Sequence, residues 1–350
     1  MNNSDMKKML IKASIFTGIC MTIMLQRTAT KHVMIADAAG TTIDRGNSNE
    51  SYKLLLSDDM DNGQSGKLII PLSKTVGIDD IVLEDNYMEH ELLIYIDGRE
   101  EGFYLDNYLY TDLDIIESAV CITENDSGAV CLDFKLDDLY VNESTLTETN
   151  TIEVSFYSPH DKYDKVVVID PACGGSNTGE VNGVLSEKDI ALDIAIYLKE
   201  TQEKSENESV KLYYTRLTDI DVTDEQRLNL IEESEADFVV GIGTGSSAEL
   251  KEGIYTLYND SYFIRGLNNA DFADIIEKYC ASCTGANALG VHLLTEDDSV
   301  LLNSHVPTTR VIVGNLSYEN DVAKLEDGAY KKKLAEGIYD GIIEAVDSVK

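Results

Sequence analysis

Three things are scarce in this sequence: positive charge, long apolar runs and histidine. Only 28 lysines and arginines stand against 64 aspartates and glutamates, a net charge of −36. Such a surface repels phosphate backbones and anionic lipid headgroups, so nucleic acid is excluded as a partner and any membrane contact falls to the N-terminal segment. What positive charge there is gathers at the start. Residues 1–32 carry Lys7, Lys8, Lys12, Arg27 and Lys31 against Asp5, five minus one or +4, which leaves −40 for the rest. The uncharged stretch at residues 13–26, ASIFTGICMTIMLQ, is short for a membrane span and suits the apolar core of a secretory signal. Basic residues before it and polar ones after it favour export over a buried helix, with residues 1–36 as signal peptide or membrane anchor. The expected place is therefore the cell envelope or beyond. Ile19 before Cys20 fits poorly with a lipoprotein cleavage site. Histidine is the third absence. Beyond residue 160 only His292 and His305 remain, which leaves little for a histidine-based metal site.

Export changes how the cysteines read. Cys121 and Cys131 flank the turn signal ENDSG (124–128) and lie equidistant from Asp126, so a hairpin centred there sets them opposite each other. A cross-strand disulfide and two reduced thiols both remain open. Cys280 and Cys283 form C-x-x-C at the end of a helical pattern. A redox pair needs a strand before it and a helix after it; the order here is reversed, which favours a structural role.

After a polar linker at 37–50, residues 51–157 show short apolar or alternating runs broken by turn chemistry: KLIIPL, ELLIYIDG, AVCIT, AVCLDFKL and TIEVSFY. That pattern predicts a small β-rich, sandwich-like domain. From residue 158 onward strands and helices alternate. Strand-like runs fall at 166–169, 210–214, 238–242, 254–258, 291–295 and 311–313. Between them lie helical stripes, as in Ile190, Ala191, Ile194, Ala195 and Leu198. The prediction is an α/β domain with a mostly parallel twisted sheet and helices on both faces. Sites on such sheets form beyond the carboxyl ends of the strands. That singles out DPACGG (170–175), GIGTGSS (241–247) and GNLSYEND (314–321), together with Glu187 at a helix start. G-x-G-x-G matches neither dinucleotide nor P-loop spacing, and the acidity argues against phosphate.

Residues 165–347 resemble the zinc-dependent N-acetylmuramoyl-L-alanine amidases, which cut between peptidoglycan glycan and stem peptide. VVVIDPACGGSNTGEVNGVLSEKD resembles that family's Asp-Pro-Gly-His-Gly-Gly loop and Glu-Lys-Asp helix start, and LYYTRLTD with Arg227 its Thr-Arg…Asp…Arg segment. ADFVVGIGTGSS resembles Ser-Ile-His-Ala-Asn-Ser, and VPTTRVIVGNLSYEND the closing strand whose Val-Glu-Thr-Gly-Phe holds the catalytic glutamate. The β-rich region is similar, more loosely, to wall-targeting domains that accompany these amidases. Carried over residue by residue, the first zinc ligand falls on Cys173 instead of histidine and the second is kept as Glu187. The third falls on Gly243, and the catalytic glutamate on Gly314. Two donors are too few for hydrolytic zinc, which takes about three and an open position for water. The resemblance then implies a non-catalytic envelope protein without a cofactor, binding peptidoglycan, its muropeptides or a cell-wall hydrolase. An active amidase with zinc in a rearranged site is the competing reading. Cys173, Glu187 and His305, in a loop nearer the expected crevice, are its candidate ligands, and Cys173 with His305 as base is a second form of rescue. His292 is expected on a sheet face, and Glu187 reads equally as a favourable charge in the first turn of its helix.

Overall fold

The computed structural model describes residues 35–37, 50–60, 64–98, 102–123, 128–205, 207–246, 251–260, 266–294 and 298–349. All but the last two residues of the expected leader, most of the linker and the centre of the ENDSG turn lie outside these residues. Among those described, no helix is long and apolar enough to cross a membrane.

Eleven strands come first: β1 Ile35–Asp37, β2 Glu50–Lys53, β3 Leu56–Ser57, β4 Lys67–Pro71, β5 Ile81–Asn86, β6 Glu91–Ile96, β7 Leu109–Thr111, β8 Ile116–Thr123, β9 Val130–Leu136, β10 Val141–Leu146 and β11 Thr151–Tyr157. They form a six-stranded sheet, β1-β5-β6-β9-β8-β2, and a five-stranded one, β10-β11-β4-β7-β3. One core joins the two sheets, with Leu68, Ile70 and Ile152 from one packed with Leu83, Leu92 and Phe134 from the other. This is the β-rich, sandwich-like architecture expected from the alternating runs.

Of the two states left open for Cys121 and Cys131, the register goes with the reduced thiols. Cys121 pairs with Leu132, and Ile122 with Cys131, so the hairpin axis sits half a residue past Asp126. A one-residue offset sends the two side chains to opposite faces of the sheet, and both thiols are free.

The second half contains β12 Lys165–Pro171, a small hairpin of β13 Val181–Asn182 and β14 Leu185–Ser186, β15 Val210–Tyr214, β16 Phe238–Gly245, β17 Ile254–Tyr258, β18 Ala288–Leu293 and β19 Thr308–Asn315. With α1 Phe103–Asp106 and α2 Pro159–Lys162 preceding, its helices are α3 Glu187–Lys204, α4 Asp224–Glu233, α5 Asn269–Thr284, α6 Ser299–Asn303, α7 Glu319–Glu326 and α8 Gly328–Ser348. The sheet order is β15-β12-β16-β19-β17-β18. Every neighbouring pair is parallel except β17 and β19, so the last two strands run opposite to the rest.

Period-two alternation divides the sheet's side chains between two cores. Val167, Ile169, Leu212, Val240 and Val311 pack against α3, α5 and α8. Val166, Val168, Tyr213 and Val239 face the other way, where the cover is thinner: Leu230 and Ile231 of α4, Val300 of α6, and Tyr87 from the β-rich half. The predicted stripe of α3 is buried in full, and Cys280 is interior in α5. The crevice described next opens on this thin side, against Asp224 and Arg227 of α4 and Val300 of α6.

Candidate functional site

The loop after β12 is fixed from below by two arginines. Buried Arg216 donates to the carbonyls of Pro171 (3.3 Å), Ala172 (2.8 Å), Lys188 (2.9 Å) and Thr218 (3.3 Å). Arg227 of α4 pairs with the fully buried Asp170 and donates to the carbonyls of Pro171 (3.1 Å) and Cys173 (3.0 Å). Burial alone would push the Asp170 carboxyl up; the Arg227 and Arg310 guanidiniums and the Thr215 hydroxyl outweigh it and hold the group below the usual carboxylate range. Asp219 pairs with Lys188 at 2.6 Å and accepts from Gly175 N at 2.8 Å.

Above this base, three of the sequence-derived positions converge. Glu187 does not merely start α3. Its Oε1 accepts from Thr244 N at 2.9 Å and its Oε2 from Glu180 N at 3.2 Å, while Cys173 Sγ donates to Oε2 at 3.8 Å. Gly179, at φ +61°, permits this approach, since a Cβ there would lie 2.4 Å from Glu187 Oε2 and 2.7 Å from Cys173 Sγ. A Cβ on Gly243 would lie 2.8 Å from Glu187 Oε1, so that position faces the same point. The thiol stays protonated at neutral pH. Burial and the Glu187 charge push it up to about 11, against weaker opposition from Arg310 and Arg227. Alkylation of Cys173 by iodoacetamide at pH 8 is accordingly expected to run on the order of 100-fold slower in the folded protein than in the unfolded chain. Peptide mapping over time reads this directly, and equal rates would contradict the protonated, sheltered thiol.

Gly314 is not part of this convergence. A Cβ there would meet Leu325 Cδ1 at 3.0 Å and Asp321 Cβ at 3.5 Å, on the α7 side. The residues of β19 that line the crevice are Arg310 and Ile312. His305 is also elsewhere: it is exposed ahead of β19, at the amino end of a strand parallel to β16, whereas the loops at issue follow the carboxyl ends. His292 lines the crevice instead, edge-on to the Tyr255 ring at 5.4 Å, because β18 runs opposite to β19.

The crevice has a cavity volume of about 720 Å³, from Cys173 and Glu180 across Thr244, Ile312 and Arg310 to His292, with Asp224 and Asp298 at its walls. Among the described residues no three His, Cys, Asp or Glu side chains are grouped to hold a metal. Tested against zinc, the donor set does not fit: one protonated thiol, one carboxylate already accepting two backbone N–H bonds, and no side chain at 243. Sequence reasoning missed Arg310, whose only signal was a charge inside an apolar strand.

A β-sheet of this order with a crevice beyond Asp-Pro and a Gly-Gly loop defines a peptidoglycan-amidase-like α/β domain. Residues 167–344, 178 of 350, match the family model described as N-acetylmuramoyl-L-alanine amidase, and the chain belongs to that family. Among its relatives in Bacillus subtilis, a protein described as uncharacterized, YqiI, is 28% identical over 178 residues, 51% of this chain and 83% of YqiI. The N-acetylmuramoyl-L-alanine amidase LytC is 26% identical over 180 residues, 51% of this chain but 35% of LytC. Of solved structures, the catalytic domain of the amidase CwlV from Bacillus (Paenibacillus) polymyxa var. colistinus is 30% identical, covering 53% of this chain and 99% of that one, with a TM-score of 0.47.

Proposed function

We propose that this chain is an exported, non-catalytic member of the amidase family that binds peptidoglycan through the crevice between α4 and α6. The observation that carries the reading is an open crevice of about 720 Å³ in which Glu187 alone is kept of the family's zinc and acid/base positions. Cys173 is a neutral thiol, and Gly243 offers nothing to a metal. Placing the family's Val-Glu-Thr-Gly-Phe on residues 311–315, with its glycine on Gly314, puts the glutamate position at the crevice-lining Ile312. An isoleucine there takes no proton from water and passes none to a leaving amine. Without a metal or a general base, an amide in the crevice is held and not cut. Envelope location rests on the leader-like first 36 residues and on the amidases among the relatives.

The decisive experiment measures zinc content of the purified protein alongside peptide release from peptidoglycan and binding of soluble muropeptides. The expected result is substoichiometric zinc, no release, and saturable muropeptide binding. Stoichiometric zinc with chelator-sensitive release would establish the rearranged active amidase instead, with His292 the nearest imidazole. Absence of muropeptide binding as well would turn the reading toward a hydrolase partner.

A further inference from the structure

The segment GIGTG of β16 sets glycines at 241, 243 and 245, all on one face of the strand. None of them has a positive φ, so backbone conformation does not call for glycine here. Space does. A Cβ on Gly241 would lie 2.9 Å from Arg310 Nε and 3.3 Å from its Cβ and Cγ. On Gly243 it would lie 3.5 Å from Arg310 Cδ as well as 2.8 Å from Glu187 Oε1. Arg310 of the neighbouring β19 therefore lays its stem across the place of a side chain at 241 and runs in ordinary packing contact beside position 243, where Glu187 is the close neighbour.

Its head lands among carboxylates. The NH1 group is 2.7 Å from Asp298 Oδ2 and the NH2 group 3.3 Å from Asp170 Oδ2. Nε is buried and has no hydrogen-bond partner among the described residues. Asp298, Asp170 and Glu187 all favour the charged guanidinium, in that order, against the cost of burial. Asp170 is fully buried and Glu187 half-buried, and positive charge beside Asp170 comes from Arg310 as well as Arg227. In this chain that charge is covalently attached.

We propose that Arg310 supplies the positive charge a metal would have brought: its stem packs beside position 243, and its guanidinium sets a fixed cation next to Asp298 and Asp170 in the crevice. This deepens the non-catalytic reading and rests on it. The crevice is then closed to divalent cations by like charge, and restoring ligands alone does not reopen it.

The test uses Zn²⁺ alone as probe, read by competition with a chromophoric chelator and by thermal shift. C173H/G243H rebuilds, with Glu187, a three-donor set while Arg310 stays; C173H/G243H/R310A rebuilds it with Arg310 removed. The triple variant is expected to bind one zinc on the order of 100-fold more tightly than the double, as expected when a cation leaves a buried metal site. Added zinc should raise the Tm of the triple variant only. Equal affinity in the two variants would overturn the proposal, as would a folded triple variant that binds no zinc. Should alanine unfold the protein, Arg310→Gln, which keeps polar reach toward Asp298 without the charge, makes the same comparison. The two readings fail separately. Stoichiometric zinc in the wild-type protein sinks the non-catalytic reading and this one together. Zinc-free wild type with equal variants sinks only the role of Arg310.

Discussion

Replacing Arg227 by methionine is expected to destabilise the protein by about 3–5 kcal/mol, a large part of the 5–15 kcal/mol that holds a typical domain folded. Arg227 and Asp170 are both buried, and their pairing is the charge balance at the base of the crevice. Removing the guanidinium leaves Asp170 with Arg310 at 3.3 Å and the Thr215 hydroxyl at 2.8 Å. It also removes the Arg227 bonds to the carbonyls of Cys173 (3.0 Å) and Pro171 (3.1 Å), leaving Pro171 to Arg216, so the Cys173 loop should loosen with it. Asp170→Asn in the same variant should recover part of the loss, because the uncompensated charge goes with it. Urea unfolding followed by circular dichroism measures all three proteins; a loss under 1 kcal/mol for Arg227→Met would refute the assignment.

The same pair predicts an acid dependence. Asp170 has a folded-state pKa held below its unfolded value, so its contribution is complete above about pH 4 and is lost as pH falls through the folded value. Wild-type stability should therefore drop on acidification below about pH 4, and the double variant should lack that component. Comparing slopes between the two proteins separates Asp170 from the many other carboxylates.

How much of this was legible in the sequence depends on how local each feature is. The α3 stripe of Ile190, Ala191, Ile194, Ala195 and Leu198 was readable because a helix repeats its buried face every few residues, without help from elsewhere. Convergence of Cys173, Glu187 and Gly243 was readable because each lies at the end or start of a predicted element. The state of Cys121 and Cys131 stayed open because half a residue of hairpin register decides which face a side chain takes. Gly314 failed similarly, since a β-bulge in the β16–β19 pairing shifts the register after Gly243, and only structure tells which residues face the crevice. Arg310 and the glycines opposite it are a tertiary fit between strands 65 and more residues apart, for which no local pattern exists.

The least legible feature is also the one that joins the two halves, and replacing it should have the second large effect. Tyr87, in the short 3₁₀ turn Tyr87–Glu89, is 2% exposed and reaches from the β-rich half to β15, the edge strand of the α/β sheet. Its hydroxyl donates to Tyr214 O at 2.9 Å and accepts from Tyr214 N at 3.0 Å, satisfying a residue on the open side of that edge. The ring meets Tyr213 edge-to-face at 4.9 Å, and His90 Nε2 lies 2.9 Å from Glu233 Oε2 nearby. Tyr87→Phe removes both hydrogen bonds to the Tyr214 backbone in a buried place, and should destabilise by about 1–3 kcal/mol. Tyr87→Ala opens a cavity in the thinly covered core as well, and should destabilise by about 3–5 kcal/mol. Because Tyr87 is the largest side chain that the β-rich half places in the core it shares with the α/β sheet, beside Leu139 and Met88, the wild-type protein should unfold in a single calorimetric transition and the alanine variant in two. Two resolved transitions in the wild type, or one unchanged transition in Tyr87→Ala, would show that the β-rich half rests on the amidase domain without stabilising it.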